Sequence, residues 1–345
     1  MHRQLTRWVL AMLAAALLAA AARTALAAPA LAALQANPGK TSVSGLSSGG
    51  FMAVQYGVAF SASVKGVGVI AAGPYNCANL EFGIARACMS GHPSGASSWT
   101  AAQGFAALGQ IDPAQGIARQ RVYVFSGTRD NVVSPQVVAA TRDFYRAAGV
   151  PADHLAFVDQ VPAGHAFVAP AFGNTCGRNA EPFIERCELG GEAYDQPLQI
   201  LRHIYGPLKP AASTLSSSPQ PFDQREFAGA VTSLDPTGFV YIPAACASDS
   251  RDCAVHVVFH GCRQGHESVG DDVYAHAGFN RWADSNRIIV LYPQVMKSRL
   301  LPFNPRGCWD WWGFFYTGPA FMVRDGVQLS AVKRMVDRLT GVQPR

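Results

Sequence analysis

Apolar residues fall into short continuous runs rather than into strict alternation, and helical spacing separates several of them. The stretches 64–71, 121–127, 254–259 and 287–293 are apolar nearly throughout, as strands buried on both faces require. A shorter run at 156–158 and another at 238–243 read as further strands. Between them, 135–148 carries apolar residues at helical spacing, and 273–286 fits a second helix with Tyr274, Gly278, Phe279 and Trp282 on it. Strand–helix alternation from 41 to about 205 predicts an open parallel sheet, whose functional groups gather at the carboxyl ends of the strands. Residues 210–222 are rich in serine and proline and predict a linker or long surface loop, after which strands resume. No internal repeat is evident.

The first strand runs into Val43-Ser44-Gly45-Leu46-Ser47-Ser48-Gly49-Gly50-Phe51. A helical pattern follows through Met52, Val54 and Tyr56, so Gly-x-Ser-x-Gly sits between strand and helix. There a serine is lifted above the sheet edge, and the glycines let strand and helix pass closely. Ser47 is the candidate nucleophile. Ser48, opening the helix, would offer its backbone N–H to a developing oxyanion. Asp130 and His165 each follow a strand, and the order Ser, Asp, His is that of the α/β-hydrolase triad. In that arrangement His165 takes the Ser47 proton, while Asp130 orients the imidazole and stabilises its cation.

An α/β-hydrolase normally places several strands before its nucleophile, including the one leading to the second oxyanion donor. Only a short stretch precedes Ser47 here. The segment after the linker supplies the missing strands, with His260-Gly261-Cys262 following the run at 254–259. The fold class expected is therefore α/β: a circularly permuted α/β-hydrolase with a mostly parallel central sheet and helices on both faces. Its permutation junction falls at about 210–222. The competing reading makes 225–345 a separate binding module, but its apolar strands need partners on both edges.

Residues 1–27 read as a secretory signal. Arg3 and Arg7 form a positive start, Trp8 to Ala22 an apolar run too short to span a bilayer comfortably, and Ala25-Leu26-Ala27 a small-x-small cleavage site. Residues 28–345 then form a single catalytic domain. Cleavage would remove three arginines and no acids, bringing the net charge from +5 to +2, too small to suit a nucleic-acid partner. No later segment reads as a membrane helix. The expectation is a secreted protein, periplasmic or extracellular, monomeric and without stable membrane association.

The eight cysteines are even in number, which in a secreted chain reads as disulfides. Spacing suggests neighbours: Cys77 with Cys88, Cys176 with Cys187, Cys246 with Cys253, Cys262 with Cys308. Other connectivities stay open. With no Cys-x2-Cys pair and no Cys/His cluster at zinc spacing, no metal and no cofactor are expected.

The elbow, Gly73-Pro74-Tyr75-Asn76-Cys77, His260-Gly261-Cys262 and Gly307-Cys308-Trp309-Asp310-Trp311-Trp312 together carry a resemblance over nearly the whole chain from Thr41. The chain resembles the secreted, circularly permuted poly(3-hydroxybutyrate) depolymerases that have a single α/β-hydrolase domain and no separate polymer-binding domain. The resemblance implies nucleophile Ser47, acid Asp130, base His165, and oxyanion donors from the N–H groups of Ser48 and Cys262. It also implies substrate contacts from the tryptophan run Trp309, Trp311 and Trp312. The partner implied is a polyester or its oligomers, uncharged chains that suit an apolar, aromatic-lined groove. A carboxylesterase of the feruloyl or acetyl type would share the triad and the secretion. A catalytically inert binding protein on the same scaffold would have been free to lose one of the three.

Overall fold

The computed structural model describes residues 28–78, 82–229, 232–313 and 318–343, so the expected signal at 1–27 lies outside the described residues. Eight strands form the main sheet: β1 (Thr41–Leu46), β2 (Val64–Ile70), β3 (Arg121–Phe125), β4 (Leu155–Val158), β5 (Gln220–Asp223), β6 (Thr237–Tyr241), β7 (Ala254–Phe259) and β8 (Ile288–Tyr292). Across the sheet the order is β5-β6-β8-β7-β1-β2-β3-β4. Only the β5–β6 and β6–β8 pairs are antiparallel. Counted from β5 through the C-terminus and back to β1, the order becomes 1-2-4-3-5-6-7-8, the α/β-hydrolase sheet begun at a different point of the chain.

β1, β7 and β8 are buried at every position, β8 as an unbroken apolar run and β1 and β7 with Ser42, Ser44 and His256 among their buried residues. Successive side chains of a strand point to opposite faces. A Cβ at Gly66 or Gly68 would press on Ile204 or Ile200 of helix Gln196–Tyr205, whereas Val67 packs against Gly57 of helix Ser48–Ala59. Helices thus cover both faces. Every residue of Ser48–Ala59 is buried, as expected of a helix apolar all round.

On the face toward Gln196–Tyr205 lies a small polar network. His256 of β7 bonds Ser42 Oγ through Nδ1 (2.7 Å) and Ser44 Oγ through Nε2 (2.9 Å), and Ser42 reaches Tyr205 Oη at 2.6 Å. These partners satisfy an imidazole with no access to water, and burial pushes its pKa down to about 3.

Two expectations are corrected. The stretch 210–222 is not loop to its end, because Gln220, Pro221 and Phe222 enter β5 and pair with β6. Proline is tolerated there because β5 is an edge strand. The helix expected over 273–286 is two, Asp272–His276 and Phe279–Ser285, divided at Gly278, whose φ of 97° is left-handed. The C-terminal helix Val327–Thr340, amphipathic and ending at left-handed Gly341, was not anticipated.

Leu34 N–H donates to Arg338 O (3.1 Å) and Ala36 N–H to Leu339 O (3.0 Å), so the segment ahead of β1 lies along the close of helix Val327–Thr340. The bridges join Cys77–Cys88, Cys176–Cys187, Cys246–Cys253 and Cys262–Cys308. Among the described residues no helix is long and apolar enough to cross a membrane. On the shared sheet we propose one domain over 28–345, with its old ends joined ahead of β5.

A single permuted domain makes a direct prediction. A fragment of residues 28–209 exposes the β1 edge that β7 covers in the whole chain. It should lack a cooperative thermal transition and ester hydrolysis, and co-refolding with residues 220–345 should restore both. Calorimetry and an ester assay on the fragment alone and on the mixture check it.

Candidate active site

Strand register brings the candidate residues to one level. Gly45 pairs with Phe259, Leu46 with Ile70, Ile70 with Phe125, and Phe125 with Val158. The loops that leave β7, β1, β3 and β4 therefore start in one row, and they carry Cys262, Ser47, Asp130 and His165 respectively.

Ser47 has φ 58° and ψ −123°, a conformation L residues rarely occupy, at a cost of order 1–3 kcal/mol. It is held there by hydrogen bonds on both sides, Ser47 N–H to Ile70 O and Phe51 N–H to Ser47 O, each 2.9 Å. The flanking glycines answer to crowding. A Cβ on Gly45 would lie 2.2 Å from Gly49 O, and one on Gly49 would lie 2.3 Å from Phe259 O and 2.4 Å from His260 O. The helix can begin where it does only because its first turn rests directly on the end of β7.

Asp130 and His165 form a buried pair, Nδ1 to Oδ2 at 2.9 Å, with side chains 1% and 7% exposed. Asp130 Oδ1 accepts the N–H groups of Val132 (2.8 Å) and Val133 (3.0 Å), which fixes the carboxylate plane. A carboxylate on Nδ1 selects the tautomer with its proton on Nδ1, leaving Nε2 as an acceptor for a hydroxyl proton. Phe183 meets the imidazole edge-on, ring centres 6.4 Å apart.

The His260-Gly261-Cys262 loop lies beside the elbow: a Cβ on Gly261 would be 3.5 Å from Ser47 Cβ. His260 is fully buried. Its Nε2 accepts the Val295 N–H (3.1 Å), so its proton sits on Nδ1 and is donated to Gly261 O (2.7 Å). Burial pushes its pKa down to about 4. Gly261 N–H donates to Gln264 Oε1 (2.7 Å), and Gln264 Nε2 donates to Pro182 O and Phe183 O (2.8 and 3.0 Å). Arg263, next to Cys262, is itself left-handed at φ 62°. The Cys262–Cys308 bridge ties this loop to the tryptophan run.

The three tryptophans part company. Trp309 is fully buried, its ring 5.1 Å from Phe259 and 5.8 Å from His260, and offers no surface to a substrate. Its place among the substrate contacts is therefore withdrawn; it is core. Trp311 stacks on Phe51 of the elbow helix at 4.2 Å, and half-buried Trp312 meets Trp311 edge-on at 4.9 Å. Gln55 Nε2 donates to Asp310 O (3.2 Å), and Gln328 Oε1 accepts the Asp310 N–H (2.9 Å), anchoring the run to two helices. Gln55 and Gln264 escaped the sequence reading because a lone glutamine belongs to no motif. The available signal was Gln55 inside an otherwise apolar helix.

No family model matches the chain. It is 38% identical over 317 residues to a poly(3-hydroxybutyrate) depolymerase of Delftia acidovorans, covering 89% of this chain and 61% of that protein. It is 35% identical over 331 residues to a polyhydroxybutyrate depolymerase of Talaromyces funiculosus, covering 89% of this chain and 91% of that one. The crystal structure of a PHB depolymerase from Penicillium funiculosum superposes with a TM-score of 0.83 at 32% identity, over 91% of this chain and 100% of its own. A serine-to-alanine PHB depolymerase complexed with an R3HB trimer matches over the same shares at TM-score 0.82 and 32% identity.

The geometry yields two predictions. Gly49→Ala must drive the elbow and the β7 loop apart. It should lower Tm and reduce kcat on a soluble ester by about ten- to a hundredfold, since a misplacement near 1 Å costs that much; melting curves and steady-state kinetics check it. The second concerns acid. His256 and His260 stay neutral when folded, with pKa values of about 3 and about 4, against about 6.5 in the unfolded chain. Below pH 6.5 the unfolded state binds more protons. Their contribution is thus complete above that pH and is lost as pH falls toward the folded values, by about 1.4 kcal/mol per pH unit for each. Urea unfolding between pH 7 and 5 should show that slope, flattening above pH 7.

Proposed function

The chain belongs to the poly(3-hydroxybutyrate) depolymerase family, and on that premise we propose that it is a secreted serine esterase cleaving poly(3-hydroxybutyrate) or its oligomers. The observation carrying this reading is the level row of Ser47, the Asp130–His165 pair and the Cys262 loop, in a fold that matches a depolymerase complexed with an R3HB trimer. The chain spans 61% of the Delftia acidovorans relative, so the activity is argued from this chain's own residues.

In this mechanism Ser47 Oγ attacks the ester carbonyl carbon while His165 Nε2 takes its proton. The carbonyl oxygen becomes an oxyanion between the N–H groups of Ser48 and Cys262. Collapse breaks the bond to the alkoxide oxygen of the next unit, which leaves with the proton from His165. Water then attacks the acyl-enzyme with the same base, freeing the acid and Ser47. Asp130 holds the imidazole and offsets its transient charge. Half-buried Trp312 offers ring surface that suits an uncharged, methyl-branched chain, with Trp311 and Phe51, both buried, packed against it in turn. The bridges and the leader-like 1–27 support secretion, and the monomeric state is part of the same proposal.

The test is incubation of the mature protein with amorphous poly(3-hydroxybutyrate) and, separately, with feruloyl and acetyl esters. The polymer suspension should clear and release 3-hydroxybutyrate products. Ser47→Ala should fold and adsorb normally, yet hydrolyse about a thousandfold or more slowly. Small-ester hydrolysis without clearing would instead indicate a carboxylesterase. An intact Ser47 that an organophosphate fails to label would indicate an inert binder.

A further inference from the structure

The Cys176–Cys187 bridge closes a segment that contributes nothing to the main sheet. Glu185, beside that bridge, is buried, and its Oε2 accepts the N–H groups of Gly164 (2.9 Å) and Gly177 (2.7 Å). Its position near two cysteines is not a metal set, because the two sulfurs are bonded to each other. The segment also meets the Cys262 loop: Arg263 pairs with Glu181 at 2.7 Å, and Gln264 donates to Pro182 and Phe183.

Within this segment Asn179 spends its whole amide on the site. Oδ1 accepts the backbone N–H of His165 (2.7 Å) and that of Asn131 (3.3 Å). Nδ2 donates to Arg129 O (3.0 Å) and, more weakly, to Gly177 O (3.4 Å). A carboxamide has two donors and an acceptor with two lone pairs, and all are engaged. Residues 129 and 131 flank Asp130. Among the described residues, Asn179 is the one side chain bonded both to His165 and to the immediate neighbours of Asp130. The backbone joins the two loops further back, Thr128 N–H to Val161 O and Arg129 N–H to Ala163 O, but not at the pair itself.

We infer that Asn179 is a positioning residue: acting from the disulfide-closed segment, it sets the separation of Asp130 and His165. The inference rests on the reading of those two as acid and base. Neither β3 nor β4 fixes that separation alone, because each residue sits on a loop several positions past its strand. The amide acts as a fixed-length strut between the loops; without it Glu185 still holds Gly164 and Asp130 still holds its own turn, but among the described residues no other side chain joins His165 to residues 129 and 131.

The test compares Asn179→Ala with the wild type, with Ser47→Ala and His165→Ala alongside, on p-nitrophenyl butyrate. Asn179→Ala should lower kcat by about ten- to a hundredfold with KM nearly unchanged. The far-downfield proton resonance of His165 Nδ1–H should broaden or move upfield, a signature that lost stability in a still-folded variant would not move. Should the alanine variant fail to fold, Asn179→Ser, whose hydroxyl is too short to span both loops, is expected to give the same two readings. Unchanged kcat and an unchanged resonance in a folded variant overturn the inference. If Ser47→Ala and His165→Ala are inactive in that experiment, the reading of the triad survives the loss. If those two variants keep wild-type rates, the triad reading itself falls and takes the inference with it.

Discussion

Between the first turn of helix Ser48–Ala59 and the carbonyls that end β7 there is no room for a methyl group. That backbone-to-backbone contact couples the elbow to the Cys262 loop. It fixes the distance from Ser47 to the neighbouring strand end, where a preorganised donor is worth several kcal/mol to a developing oxyanion. It also braces Ser47 in a backbone conformation that would otherwise relax. The other fastenings act around this one. His260 turns its loop through paired hydrogen bonds, Gln264 ties that loop to the segment beside His165, and Cys262–Cys308 pins its outer end.

The parts legible in the sequence are those where one physical demand dominates. Strands buried on both faces are mostly apolar, so β2, β3, β7 and β8 stood out. The elbow glycines were legible because crowding admits no other residue. The apolar runs after residue 225, which need partners on both edges, pointed to strands joining the sheet of Ser47, and the sheet order has that form. Neighbouring cysteines were natural partners because short loops close easily.

Other parts answer to competing demands. β5 is four residues long, carries Pro221 and lies at an edge, so composition read it as linker. Gly278 could be a helical residue or a break, and only its left-handed turn decides. Trp309 and Trp312 look alike in sequence, yet one is sealed beneath His260 and the other lies partly open. Gln55, Gln264 and Asn179 are polar residues whose partners lie far off in the chain, information that no local pattern contains.

The sheet's connectivity also governs when the protein comes into being. Ser44 and His256 bond to each other across the centre of the sheet while standing 212 positions apart. β2 reaches β1 early, but β7 is made late, after the whole segment bearing Asp130 and His165. A chain emerging amino-terminus first therefore holds Ser47 for most of its synthesis without the strand that seats it. Such distant pairing is slow to close. Until it does, the bare edge of β1 is a surface for misassociation. Three of the four bridges span at most 11 residues, so they can lock local loops during that wait without committing the sheet. The row that joins Ser47, Asp130, His165 and the Cys262 loop can thus close only after β7 has been made.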